Sequence, residues 1–168
     1  MVIEAGSTPE DNADLERVAE SDVIGAVIAY ADLRSEALDP ELDGWQAHPK
    51  FRGIRMMFEG EDDPELALRL EVLEGLGNLA RRGLIFDFCI RAEHLSAVAR
   101  VCERLPELKG VIEHMAKPNL WDDFDHDVWY RGMRVLARKT RLMCKLSLSP
   151  QGEQVPGLLA EPGMGWPV

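Results

Sequence analysis

Short apolar runs alternate with amphipathic segments along residues 1–148, and no linker rich in Gly, Ser and Pro interrupts them. The runs occupy residues 2–5, 23–33, 51–58, 84–90, 111–115 and 142–148. Val, Ile and Phe recur in them, as buried parallel strands require, so the pattern predicts six strands. Between them lie helix signals. Asp62-Asp63-Pro64 offers capping carboxylates and a proline for the first helical position, after which Leu66, Leu70, Leu73, Leu76 and Ala80 share a face. Arg81, Arg82 and Gly83 then supply a basic last turn and a left-handed cap. Ser7-Thr8-Pro9 opens a second helix with Leu15, Val18 and Ala19, residues 93–105 form a third ahead of Pro106, and residues 127–138 a fourth. Leu38, Leu42 and Trp45 suggest a shorter one, although Pro40 and Gly44 oppose it.

Strand centres recur roughly every 25–33 residues, the period of a right-handed βα unit, which builds either an open doubly wound sheet or a (β/α)8 barrel. The period does not choose between them. A complete barrel takes about 250 residues, so the 168 here suffice for a portion of one.

The charge balance narrows the partners. Thirty acids against nineteen Lys and Arg leave a net charge of -11, which repels phosphate backbones and anionic lipid headgroups. Neither nucleic acid nor membrane is therefore expected as a partner. No apolar run approaches the roughly 18 residues of a spanning helix, and the acidic N-terminus does not resemble a signal peptide. The expected location is cytoplasmic. Cys89, Cys102 and Cys144 each lie in an apolar stretch at wide spacing, which predicts reduced core residues, not disulfides or a metal site.

In either architecture the working face lies at the C-terminal ends of the strands. The polar residues expected there are Asp32, Arg55, Arg91, His94, Glu113, His114, Lys117 and Lys145. Such a set suits an anionic or carbonyl-bearing small molecule. His114 stands at a strand end before a turn, where an imidazole serves as a ligand or an acid–base group, or is satisfied by a backbone carbonyl. Arg55 suits a substrate carboxylate or a loop acid; Lys145, in an apolar strand, must find a carboxylate or water. The run Asp122-Asp123-Phe124-Asp125-His126-Asp127 lacks calcium-loop spacing and precedes a helix, so it reads as capping. His48 sits at the opposite strand end, a structural position. There is no phosphate loop, G-x-S-x-G elbow or H-E-x-x-H.

Taken together, Phe51-Arg52-Gly53-Ile54-Arg55, Phe86-Asp87-Phe88-Cys89-Ile90-Arg91 with His94-Leu95, Glu113-His114-Met115-Ala116-Lys117-Pro118 and Cys144-Lys145-Leu146-Ser147 resemble the amidohydrolase-related (amidohydrolase 2) family. That family comprises TIM-barrel metal-dependent hydrolases, including sugar-acid and pyrone dicarboxylate lactonases. The resemblance implies an α/β fold that is an incomplete TIM (β/α)8 barrel. Strands two to seven would be present, the first and a proper last strand missing. Residues 1–148 would be the partial barrel and residues 149–168 an atypical Pro/Gly-rich tail.

The resemblance also assigns roles. His114 matches the family's strand-six histidine and would be catalytic; Arg55, His94, Lys117 and Lys145 would bind substrate. The substrate would be a lactone-like or cyclic amide-like small molecule. Complete members take a divalent metal, Zn or Mn, but no H-x-H occurs here, Glu113 replaces the usual Asp, and Gly165 stands in the place of the strand-eight acid before Trp166-Pro167-Val168. No metal ligand is therefore assigned in this chain. The implied function is a hydrolase, inactive or incomplete as this chain, or else a non-catalytic binding module, with self-association through open sheet edges.

Overall fold

The computed structural model describes residues 2–3, 12–118 and 123–147. Its frame is one parallel sheet whose six strands run in chain order: β1 (Val2–Ile3), β2 (Val27–Tyr30), β3 (Phe51–Met57), β4 (Ile85–Cys89), β5 (Lys109–Ile112) and β6 (Met143–Cys144). Between successive strands run α1 (Asn12–Ala19), α2 (Leu38–Gln46), α3 (Leu70–Arg82), α4 (Leu95–Arg104) and α5 (Asp123–Lys139). No helix among the described residues is long and apolar enough to cross a membrane. The expected helix start at Ser7-Thr8-Pro9, Asp122 and the tail of residues 149–168 lie outside the described residues.

Strand residues alternate between two chemically different faces. Val27, Ala29 and Ala31, then Ile54, Met56 and Phe58, then Phe86, Phe88 and Ile90, with Ile112, belong to one buried core. Leu15 and Ala19 of α1, Leu38 and Leu42 of α2, Val72, Leu76 and Leu79 of α3, and Leu95, Val98 and Val101 of α4 belong to the same core. The helices therefore pack on one face of the sheet. The intervening positions, Ile28, Tyr30, Arg55, Met57, Asp87 and Cys89, point to the other face. Within the core Phe86 meets Phe88 edge-on at a 4.7 Å centroid distance, an arrangement favoured by the ring quadrupoles.

Several elements are shorter than their apolar runs. Residues 23–26 precede β2 outside the strand, with Val23 86% exposed in a turn that the Ile24 amide closes by bonding back to the Ser21 carbonyl. The strand expected over residues 111–115 stops at Ile112, since residues 114–117 all take positive φ and leave the extended conformation. Asp63 caps a turn ahead of α3, its Oδ1 accepting from the Glu65 amide. The chain then makes a short 3₁₀ turn, Leu66–Leu68, and is extended at Arg69, so Leu66 is buried whereas Leu70, expected on the same face, is 69% exposed. The α3 end is as predicted: Gly83 at φ 69° returns its amide to the Ala80 carbonyl. The cysteines are all free.

A bulge sets the register of β3. Val27 pairs with Phe51 but Ile28 with Gly53, so Arg52 is the extra residue. A Cβ on Gly53 would lie 1.9 Å from the Ile85 carbonyl oxygen of β4. Gly53→Ala should therefore destabilise the fold by about 3 kcal/mol or more, read as a lowered urea midpoint; an unchanged midpoint would refute this register.

Candidate active site

The inner face of the sheet carries charges that an apolar sheet would exclude. Arg55 pairs in register with Asp87 across β3 and β4, and Glu113 and Lys145 follow β5 and β6. The Lys145 ammonium is bound by Asp87 Oδ2 and, at 3.0 Å, by Glu113 Oε1. Arg55 Nη1 reaches Glu113 Oε2 at 3.3 Å. Arg55, Asp87 and Glu113 are all buried, while the Lys145 side chain keeps 20% exposure. Two cations thus answer two carboxylates, as burial demands.

The two acids titrate differently. Burial pushes the Asp87 carboxyl up to about 6; Lys145 opposes the rise and the Glu113 charge adds to it. Burial also acts upward on Glu113, but Lys145 and Arg55 outweigh it and hold Glu113 below its ordinary value. Asp87 Oδ1 is buried and accepts no hydrogen bond among the described residues.

Beside this cluster the backbone forms a left-handed turn, with His114 at φ 47°, Met115 at 56°, Ala116 at 59° and Lys117 at 48°. None is glycine, so the turn is strained and has to be held from outside. Trp129 Nε1 donates to the Met115 carbonyl at 2.6 Å, and the Met115 amide donates to the Lys145 carbonyl at 3.2 Å. Lys117 Nζ lies 2.5 Å from Glu59 Oε1 and 3.6 Å from Cys89 Sγ. Burial pushes the Cys89 thiol up to about 12, with the Glu59 charge acting the same way, so it remains protonated. The turn sets His114 Nδ1 2.8 Å from Ser147 Oγ.

Of the expected site residues, Arg55, Glu113 and Lys145 converge, and the His114 ring is held by Ser147, two residues after Lys145. Lys117 and His94 do not take the substrate-facing positions expected of them. Lys117 is turned by its left-handed backbone into a buried ion pair with Glu59, both side chains being 10% exposed. His94 is 2% exposed and spends Nδ1 as acceptor for the Arg91 amide, closing the 3₁₀ turn Ala92–His94. Asp32 stands apart with Arg34, and Arg91 lies 3.9 Å from Glu59. His48 Nδ1 accepts from the Lys50 amide, a structural role as expected. Asp87, Glu59 and Ser147 also take part, and the residue pattern alone does not single them out. An acid between Phe86 and Phe88 in an otherwise apolar strand was the available signal for Asp87; nothing local marked Glu59 or Ser147.

Parallel strands delivering charged residues to one mouth is the arrangement of several enzyme families, and the comparisons decide among them. The family model described as amidohydrolase matches residues 1–162. The chain belongs to the amidohydrolase family. It is 30% identical over 148 residues to the L-fucono-1,5-lactonase of Burkholderia ambifaria, covering 88% of this chain and 51% of that protein. It is 26% identical over 130 residues to the uncharacterized protein y4mH of Sinorhizobium fredii, covering 72% and 43%. The chain therefore spans about half the length of the curated relatives it matches. Among solved structures, an amidohydrolase from Burkholderia multivorans with bound zinc superposes with a TM-score of 0.77 at 26% identity, covering 86% of this chain and 51% of that one. The same amidohydrolase with bound HEPES gives 0.76 at 25%, covering 86% and 52%. The fold is accordingly that of a TIM-barrel hydrolase family.

The described residues of this amidohydrolase do not fit a divalent metal as they stand. Asp87 and Glu113 are already bridged by Lys145 and Arg55, His114 Nδ1 is taken by Ser147, and no three His, Cys, Asp or Glu side chains among the described residues converge.

Two measurements check this geometry. Removing Lys117 leaves the buried Glu59 carboxyl with only the Cys89 thiol and the more distant Arg91 among the described residues, so Lys117→Met should cost about 3 kcal/mol; a loss below about 1 kcal/mol, the range of exposed pairs, would refute the burial. Asp87 binds its proton more tightly in the folded than in the unfolded chain, whose ordinary value is 3.8. Its contribution is therefore fully present below that value and is lost as pH rises through about 6, by roughly 3 kcal/mol. Urea unfolding of the wild type should show that fall relative to Asp87→Asn between pH 4 and pH 7, a range set by those values; parallel curves would refute it.

Proposed function

We propose that this amidohydrolase acts on lactone-like small molecules, with His114 and Lys145 contacting the reacting carbonyl. The observation that carries the reading is the Lys145 ammonium gripped by Asp87 and Glu113 at the C-terminal ends of neighbouring parallel strands, two residues from Ser147, which holds the His114 ring. The 30% identity to a lactonase supports the substrate class.

In lactone hydrolysis, water oxygen bonds to the ring carbonyl carbon and the carbonyl electron pair moves onto its oxygen. The ring C–O bond then breaks, the ring oxygen takes a proton, and a hydroxy acid results. Lys145 is the donor for the developing oxyanion, and the neutral imidazole takes the proton that the attacking water loses and returns it to the ring oxygen as the C–O bond breaks. Ser147 fixes the His114 ring through Nδ1 and leaves Nε2 without a partner among the described residues, available to move a proton. Arg55, Asp87 and Glu113 position Lys145 and hold its charge in a dry environment.

The six strands correspond, in this reading, to strands two to seven of an eight-stranded barrel, supported by the superposition of 86% of this chain on 51% of the Burkholderia multivorans chain. The family's H-x-H is not in the 168 residues, and Gly165 stands where its strand-eight acid belongs. The 168-residue chain by itself should consequently give only residual turnover. The test is a pH-stat assay with aldono-1,5-lactones, zinc or manganese added or omitted. The expected result is slow turnover that falls by about 10²-fold in His114→Ala and in Lys145→Met. Rates equal to wild type in both variants would refute the residue assignment, and full-rate turnover would refute the residual-activity reading.

A further inference from the structure

Charge is distributed unevenly along the chain. Residues 128–152 carry six Lys and Arg and no Asp or Glu, whereas residues 12–74 carry 16 acids against six Lys and Arg. The basic run builds most of α5. Trp129, Met133 and Leu136 of that helix pack into the core, and a Cβ on Gly132 would stand 2.6 Å from the Leu95 Cβ of α4. At about 100° per residue the side directly opposite is formed by Tyr130, Arg131, Arg134, Val135 and Arg138, all of them exposed. Arg138 suits the negative end of the helix dipole, but Arg131 and Arg134 stand mid-helix, where the dipole gives no reason for them. Arg131 makes an exposed pair with Asp127 at 3.3 Å, and Arg134 and Arg138 make no ion pair among the described residues.

Further along the helical layer lies the complementary face. Because the strands run in chain order, α4 separates α5 from α3. Between α2 and α3 a recess of about 450 Å³ is lined by Glu36, Asp39, Glu71 and Glu74, with Arg34 and Arg81 as its cations. Arg34 is already spent on Asp32 and Glu61, and Glu36, Glu71 and Glu74 make no ion pair among the described residues. Leu70, exposed at the start of α3, adds an apolar contact beside Glu71 and Glu74. One face thus sets arginines around Tyr130 and Val135, and the other sets carboxylates around Leu70. With α4 between them the two faces cannot meet in one molecule, but in two molecules they can. The net charge of -11 repels copies that approach at random, so attraction requires this orientation. We infer that the α5 stripe is an interaction surface whose partner is the α2–α3 face of a second copy of this chain, joined head to tail.

The test is sedimentation velocity of the 168-residue chain over a concentration series, with circular dichroism to check folding. The wild type should associate reversibly at low salt, and raising salt from about 0.05 to about 0.5 M should weaken that association about tenfold or more. Reversing the stripe with Arg131→Glu, Arg134→Glu and Arg138→Glu should give a monomer, and so should reversing the other face with Glu36→Lys, Glu71→Lys and Glu74→Lys. Mixed in equal amounts, the two reversed chains should associate again, because each then offers the charge that the other lacks. A wild type that is monomeric at every concentration would overturn the inference, as would association that ignores salt and both reversals, the behaviour of pairing along the sheet edges. Loss of association in the reversed chains without recovery in the mixture would also overturn it. Binding to vesicles of anionic lipid at a salt where the wild type does not self-associate, abolished by reversing the stripe, would overturn it in favour of a membrane. The salt dependence of the wild type decides the matter should a reversed chain fail to fold.

Discussion

The Lys145 ammonium, clasped by Asp87 and Glu113 on the face of the sheet opposite the helices, is the contact on which the rest of the site depends. Three buried ionisable groups share that face, and their desolvation is tolerable only because cations and carboxylates alternate within hydrogen-bond reach. Remove the ammonium and two carboxylates face each other with Arg55 alone between them. The same contact ties β4, β5 and the segment after β6 together through side chains where the short β6 offers only a two-residue ladder.

The arrangement separates two tasks by pleat. One set of alternating positions, Ile54, Met56, Phe86, Phe88 and Ile112 among them, supplies the helix-facing core and with it most of the burial that stabilises the fold. The other set, Arg55 and Asp87, supplies chemistry. Because successive strand residues point to opposite faces, charge can accumulate on the inner face without disturbing the packing of the outer one.

Strain is concentrated next to that face. Four non-glycine residues in left-handed conformation cost on the order of 1–2 kcal/mol each, and the turn persists because Trp129, Glu59 and the backbone at Lys145 hold it. What the strain achieves is placement. A strand continuing through residues 113 and 114 would send their side chains to opposite faces; the left-handed turn instead keeps His114 at the mouth against Ser147 while Glu113 reaches Lys145.

By itself the sequence determined the number of strands and several helix ends, since these follow from local periodicity and from caps such as Gly83, whereas the consecutive strand order followed from the family resemblance. It also marked Arg55, Glu113, His114 and Lys145, because each stands at the end of an apolar run. Leu70 shows where periodicity failed: the extended break at Arg69 resets the helical phase, and no propensity announces it. Only the tertiary structure decided which charges are partners. Lys117 and Glu59 are 58 residues apart, as are Asp87 and Lys145, and the left-handed turn that directs Lys117 inward is made by residues with no preference for it. Local preference is set by neighbours in the chain, whereas pairing of buried charge is set by whatever the fold brings within a few ångströms, at an energy large enough to override that preference.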